Sequence, residues 1–260
     1  MGDAIEYTER EAKQEEATYR TPAMAERRRL VREALDLRAG EAVLSLGCGP
    51  GFEPAELADA VGPGGYVRAI DRSEAMLALA AHRCGDRPNV SLTRADAAAL
   101  PLADASVDAA AAVQVYEYVE ALKMALEELR RVLQPGGRAV VYDTDFGSLV
   151  WHSADSERTE RVLRAFDDHC PRPRLGSRLA PRLRDAGLTV EEVAANSILE
   201  TNLHEDAFSH HLMEAIREYV VDRGAIPPAM ADAWVADLRR RDEAGATFFN
   251  LTQYLYVVRK

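Results

Sequence analysis

Two hydrophobic periods alternate along the chain. Short, nearly continuous apolar runs at 42–46, 66–70, 90–93, 107–113 and 138–142 read as buried strands. Segments 53–60, 73–84 and 122–133 between them carry helical spacing; Ser73 fits an N-cap, with Glu74 in the first turn. Glycine clusters at 47–51, 62–65 and 136–137 punctuate the alternation. Strands alternating with helices predict a parallel sheet covered on both faces, doubly wound by right-handed crossovers. After Trp151 the pattern changes. Helices are predicted at 157–169, 178–186, 206–223 and 228–243, with a sixth strand at 189–194 that continues toward Thr201. The alternating, aromatic-rich segment 248–258 is a seventh strand, expected antiparallel beside the fifth. Upstream, one helix reaches Ala17 and a second spans 23–37, with a break at Thr21-Pro22. The expected fold is thus α/β, a doubly wound seven-stranded, mostly parallel sheet with its last strand antiparallel. Residues 1–40 are N-terminal helices closing the site, 41–203 the α/β core, 204–245 a helical cover over the strand C-termini, and 246–260 the final strand.

Charge and cysteine content narrow the partners. A formal charge of −11 disfavours a nucleic-acid partner, because phosphate contacts need positive surface. The three cysteines, Cys48, Cys84 and Cys170, form no CxxC pair, which predicts a reducing compartment and no metal site. The charged opening segment lacks the apolar core of a signal peptide, and no run approaches the ~20 apolar residues of a membrane span. A cytoplasmic protein is expected. Lysine occurs only at 13, 123 and 260 while arginine and alanine abound, a bias that points to a GC-rich bacterial source.

The candidate chemistry centres on Gly47-Cys48-Gly49-Pro50-Gly51, a GxGxG loop between a strand and a helix. Ligands of open α/β sheets bind beyond the strand C-termini at such a turn. A dinucleotide site wants GxGxxG, whereas here Phe52 and Glu53 would crowd and repel a pyrophosphate at the helix start. Asp71 ends the second strand, twenty residues past Gly51, where an acid accepts bonds from a ribose diol; Asp96 follows the third strand. VLSLGCGPG, AIDRSEAML, RADAAALPLADASVDAA and LRRVLQPGG together resemble the class I S-adenosylmethionine-dependent methyltransferases, and more closely their small-molecule branch that includes the ubiquinone/menaquinone-biosynthesis enzymes. The motifs cover about residues 40–145.

The resemblance implies a Rossmann-like core, S-adenosyl-L-methionine as cofactor and a small-molecule substrate. It implies that Gly47, Cys48, Gly49 and Gly51 pass under the methionine part, Asp71 holds the ribose, Arg72 and Met76 flank the adenine, Asp96 and Ala97 meet its edge, and Gln114 lies by the reacting methyl. Two positions depart from the pattern. Ser45 stands where the family usually has an acid, and Tyr118 where many relatives carry histidine. His152, Tyr116 and Asp145 are the candidate catalytic groups, His152 first as a base titrating near neutrality. Tyr19, Tyr118, Trp151 and His211 are the candidate substrate contacts. Three functions stay open: methyl transfer to a C, N or O acceptor, a cofactor-binding regulatory protein of the same fold, and an NAD(P)-linked oxidoreductase.

Overall fold

A computed structural model of the chain describes residues 8–260; the opening seven residues of the N-terminal segment lie outside them. The strands are β1 (Ala42–Leu46), β2 (Tyr66–Asp71), β3 (Val90–Arg94), β4 (Val107–Val113), β5 (Leu133–Trp151), β6 (Thr189–Glu200) and β7 (Phe249–Arg259). They form one seven-stranded sheet in the order β3-β2-β1-β4-β5-β7-β6. β7 alone runs antiparallel, between β5 and β6. This is the expected architecture, Rossmann-like with one reversed strand.

The strands are apolar on both sides because both sides are covered. On β4, Ala110 and Ala112 face a core completed by Leu122, Leu126 and Leu129 of α5 (Leu122–Val132) and Leu179 and Leu183 of α7 (Leu179–Asp185). Ala109, Ala111 and Val113 face the opposite core, with Val31 and Leu35 of α2 (Pro22–Leu35) and Leu57 and Val61 of α3 (Phe52–Val61). A period of two thus sends successive residues into different layers. α4 (Glu74–Cys84) closes the edge; Ser73 caps it, accepting from the Met76 N–H at 3.3 Å.

A third core lies beyond the strand C-termini. α6 (Ser156–Phe166), α8 (Phe208–Asp222) and α9 (Pro228–Glu243) pack around Trp234, with Trp151 edge-on at 5.4 Å and Phe249 edge-on to Trp151 at 4.9 Å. Met24 of α2 joins this cluster, so the N-terminal helices and the cover meet. α1 (Glu9–Tyr19) and α2 form a hairpin, closed where the Arg28 guanidinium donates to the Tyr19 carbonyl at 2.8 Å.

Some boundaries differ from the sequence reading. β5 runs on to Trp151 rather than stopping at Tyr142, because β7 pairs along it past an irregularity between Asp145 and Val150. α2 stops at Leu35, where Asp36 takes a left-handed cap, rather than at the later glycine. The cover helix begins at Phe208, where the Glu200 carboxylate accepts the free N–H groups of Phe208 and Ser209 at 2.9 and 2.7 Å.

Trp234→Ala is expected to lower the unfolding free energy by about 3–5 kcal/mol, the scale for emptying a buried aromatic site. Urea denaturation checks this, and a loss below about 1 kcal/mol would mean the cover core is not packed as described.

Candidate functional site

The loop after β1 is tied to the tip of β2. The Gly49 N–H donates to Asp71 Oδ2 at 2.9 Å, and the Ser73 N–H donates to Asp71 Oδ1 at 2.9 Å. Burial pushes the Asp71 carboxyl above its usual range, and these backbone donors restrain the rise. Gly49 has φ +51, and a side chain there would meet the Tyr19 hydroxyl, 3.1 Å from the Cβ position. Tyr19 therefore lies over the loop, and it stacks on Phe52 with ring centroids 6.2 Å apart. Gly51 is placed differently from the expectation that it passes under a ligand. It caps α3 at φ +87, and a Cβ would sit 2.7 Å from Ala80 Cα, so it is glycine to let α4 approach. Cys48 is buried beside Ala69 and Ala80, and burial raises its thiol well above the ordinary range, which makes it packing rather than a nucleophile.

The missing acid at Ser45 is answered from the neighbouring helix. The Ser45 hydroxyl donates to Glu53 Oε1 at 2.8 Å, and burial raises the Glu53 carboxyl. A carboxylate is thus present beside the loop, displaced eight positions along the chain. Sequence reasoning cast Glu53 only as a repeller of phosphate; a serine in the acid's place was the available signal.

Sequence reasoning missed Arg27. It lies on α2, 1% exposed, and donates through Nη1 to Gln114 Oε1. Its Nε has no hydrogen-bond partner among the described residues. Its guanidinium lies 5.8 Å from the Tyr19 ring centroid, and Glu15, Glu53, Glu117 and Asp143 all feel its charge. Gln114 sits at φ +52, a left-handed strain held by its bonds. Its Nε2 donates to Thr144 Oγ1 at 2.9 Å, which also accepts from Gln253 Nε2 at 2.9 Å. A polar chain therefore crosses from β7 through β5 and β4 to α2.

Beneath it lies a buried pair of acids. Glu117 Oε2 accepts the Thr144 N–H at 2.9 Å, and Asp143 Oδ1 accepts the Val115 N–H at 3.2 Å. Both are fully buried. Burial raises both carboxyls, Asp143 to about 7, and for Glu117 the negative charge of Asp143 adds to the rise.

The remaining candidates divide. Met76 and Ala97 are buried near the β2 and β3 tips, whereas Arg72 and Asp96 are exposed there. The Asp96 side chain accepts from the Ala98 N–H at 2.8 Å. Tyr118 is half-buried at the β4 tip, edge-on to His169 at 6.0 Å. Three candidates are corrected by their surroundings. His152 is exposed past the end of β5 and stacks on Phe248 at 4.7 Å, because β5 carries it beyond the cluster. Trp151 belongs to the cover core. Asp145 folds back on its own turn, accepting the Gly147 N–H at 2.9 Å. Tyr116 is fully buried in the sheet core, its hydroxyl unpartnered among the described residues. His211 is half-buried on α8, where burial and the neighbouring His210 lower its pKa. No group of acids, histidines or cysteines that could hold a metal ion occurs among the described residues, and no helix there is long and apolar enough to cross a membrane.

Comparison with known proteins follows the same geography. Residues 44–141 match the family model described as a methyltransferase domain. An uncharacterized 37.1 kDa protein in transposon TN4556 of Streptomyces fradiae is 35% identical over 229 residues, 86% of this chain and 64% of that protein. Demethylmenaquinone methyltransferase of Staphylococcus aureus is 37% identical over 117 residues, 45% of this chain and 48% of that protein. This chain thus spans less than two thirds of the length of these relatives. The crystal structure of a SAM-dependent methyltransferase from Aquifex aeolicus superposes with a TM-score of 0.55 at 25% identity, covering 73% of this chain and 93% of that one.

The raised Asp143 carboxyl sets a pH dependence. Between the ordinary aspartate value of about 3.9 and about 7 the folded chain binds more protons than the unfolded one, so this group's contribution to stability falls as pH rises through that window. Asp143→Asn is neutral at every pH. Relative to the parent it is expected to melt about 3 °C or more higher at pH 8, with the difference shrinking toward pH 4. Melting curves at both pH values check this, and an equal offset at both would contradict the buried-proton assignment.

Proposed function

Residues 44–141 form a class I S-adenosylmethionine-dependent methyltransferase domain similar to those of quinone biosynthesis, and from that premise we propose that the chain transfers a methyl group to a small organic acceptor at C, N or O. The observation that carries this reading is Asp71. Each carboxylate oxygen accepts one backbone N–H, and a carboxylate offers about four lone-pair sites, so both oxygens retain capacity for a ribose diol. The rest of the cluster fits the same cofactor. The unpartnered, buried Nε of Arg27 suits the methionyl carboxylate, and Glu53 suits the methionyl ammonium. Met76, Arg72, Ala97 and Asp96 stand where the adenine would lie. Gly47, Gly49 and the Cys48 backbone form the floor, and Tyr19 the roof.

Bound S-adenosylmethionine supplies a sulfonium methyl already activated for in-line displacement. The chain's own residues position and desolvate. The polar chain Gln253–Thr144–Gln114–Arg27 fixes the β4 tip against α2, with the buried Glu117–Asp143 pair beneath it in the field of Arg27. A base is required only where the acceptor arrives protonated. Residues 204–245, with the α1–α2 hairpin, serve as the substrate cover.

Asp71→Ala should weaken S-adenosylmethionine binding by about 1.5–3 kcal/mol, the loss of hydrogen bonds to a charged group. Isothermal titration measures this. Unchanged affinity in a variant with native circular dichroism would remove Asp71 from the ribose site.

A further inference from the structure

A second polar group lies beyond the cofactor cluster, and nothing above uses it. His169 closes a single 3₁₀ turn, Asp167–His169, after α6. Its Nδ1 lies 2.7 Å from the Phe166 carbonyl oxygen. A carbonyl only accepts, so Nδ1 carries the hydrogen and Nε2 carries a bare lone pair. That Nε2 is buried and has no hydrogen-bond partner among the described residues. Leaving a buried acceptor unpaired costs about 1–3 kcal/mol and calls for a reason.

The surroundings supply one. The imidazole stacks on Phe166 with centroids 4.0 Å apart and planes within 2°. Phe146 meets it edge-on at 4.4 Å, Tyr118 at 6.0 Å and Tyr219 of α8 at 6.4 Å. These rings come from β5, the β4 tip and the cover helix, so His169 stands where the sheet edge meets the cover. Its strap is tied to the catalytic end of the sheet. The Arg172 N–H donates to the Glu117 carbonyl at 3.2 Å, and the Phe146 N–H donates to the Pro173 carbonyl at 2.7 Å. No carboxylate acts on the imidazole, and burial lowers its pKa to about 4, so it is neutral near pH 7. A neutral hydroxyl on a flat apolar body would find both an acceptor and aromatic faces.

We propose that His169 Nε2, within the rings of Phe146, Phe166, Tyr118 and Tyr219, is the recognition point for the hydroxyl of an uncharged aromatic alcohol, the methyl acceptor of this chain. The assignment rests on the methyltransferase reading and adds the substrate class to it. The lone pair positions the acceptor by taking its hydrogen bond, and the rings pack against its flat apolar body. Tyr219, half-buried on α8, is the ring that must yield for entry.

The test uses chain saturated with S-adenosylhomocysteine and two probes of equal shape, 4-ethylphenol and 1-ethyl-4-fluorobenzene. Titration should show the phenol binding about tenfold or more tightly than its fluoro counterpart. In His169→Phe that preference should fall below about twofold, while S-adenosylhomocysteine affinity stays within about twofold. In ¹⁵N-histidine-labelled parent chain, the Nε2 resonance of His169 should move upfield when the phenol is added, a readout that does not depend on the variant folding. Equal affinity for the two probes, a preference that survives in His169→Phe, or an unmoved Nε2 resonance would overturn the proposal. If S-adenosylhomocysteine fails to bind the parent chain, the methyltransferase reading fails by itself. The same two probes on the cofactor-free chain then decide the His169 proposal by the same tenfold criterion.

Discussion

The buried guanidinium of Arg27 organises the site. Arg27 stands on a helix outside the α/β core, yet its guanidinium is enclosed at the point where α1, the glycine loop, β4 and β5 converge. Burying an unpaired charge costs several kcal/mol, and the hydrogen bond to Gln114 and the surrounding acidic groups offset that cost. Glu15 comes from α1, Glu53 from the start of α3, Glu117 from the β4 tip and Asp143 from β5. Four separate chain segments thus bring acidic groups into the field of this one cation. The N-terminal hairpin is held to the cofactor half by the Arg27–Gln114 bond and by the Tyr19–Phe52 stack. The same arrangement leaves one guanidinium nitrogen unpaired, which is where an anionic ligand gains most.

The two halves of the site have different physical characters. On the cofactor side the groups are acidic and anchored to backbone: Asp71 to Gly49 and Ser73, Glu117 to Thr144. Toward the cover the groups are aromatic and uncharged, with one imidazole among them. A charged cofactor and a neutral, flat acceptor would partition between these halves without further steering. Residues 204–245 share a core around Trp151 and Trp234, so they form packed helices rather than a loose loop.

The fold was legible in the sequence because each layer writes its own period. The alanine run of β4 reads as a strand because its two faces enter two different cores. The glycine loop and the acid at the end of β2 were legible for the same reason, as adjacent positions in one βαβ unit. The other half of the site was not, because it is assembled from distant segments. Arg27 reads as one of three consecutive arginines on a surface helix, and only the packing of α2 against β4 and β5 shows that Arg27 and Arg28 are enclosed and that Arg27 meets Gln114. His152 drew attention by its position after the fifth strand, but β5 runs longer than its apolar run and carries the histidine past the site. His169 was indistinguishable from the end of a surface helix until Phe146, Tyr118 and Tyr219 were seen to enclose it.

The central claim, that Arg27 joins the N-terminal hairpin to the cofactor site, is tested most directly by titrating S-adenosylhomocysteine into Arg27→Met, which keeps the apolar stem and removes the charge. The account predicts that affinity falls about tenfold or more while circular dichroism stays native. Affinity within about twofold of the parent chain, in a folded variant, would contradict it.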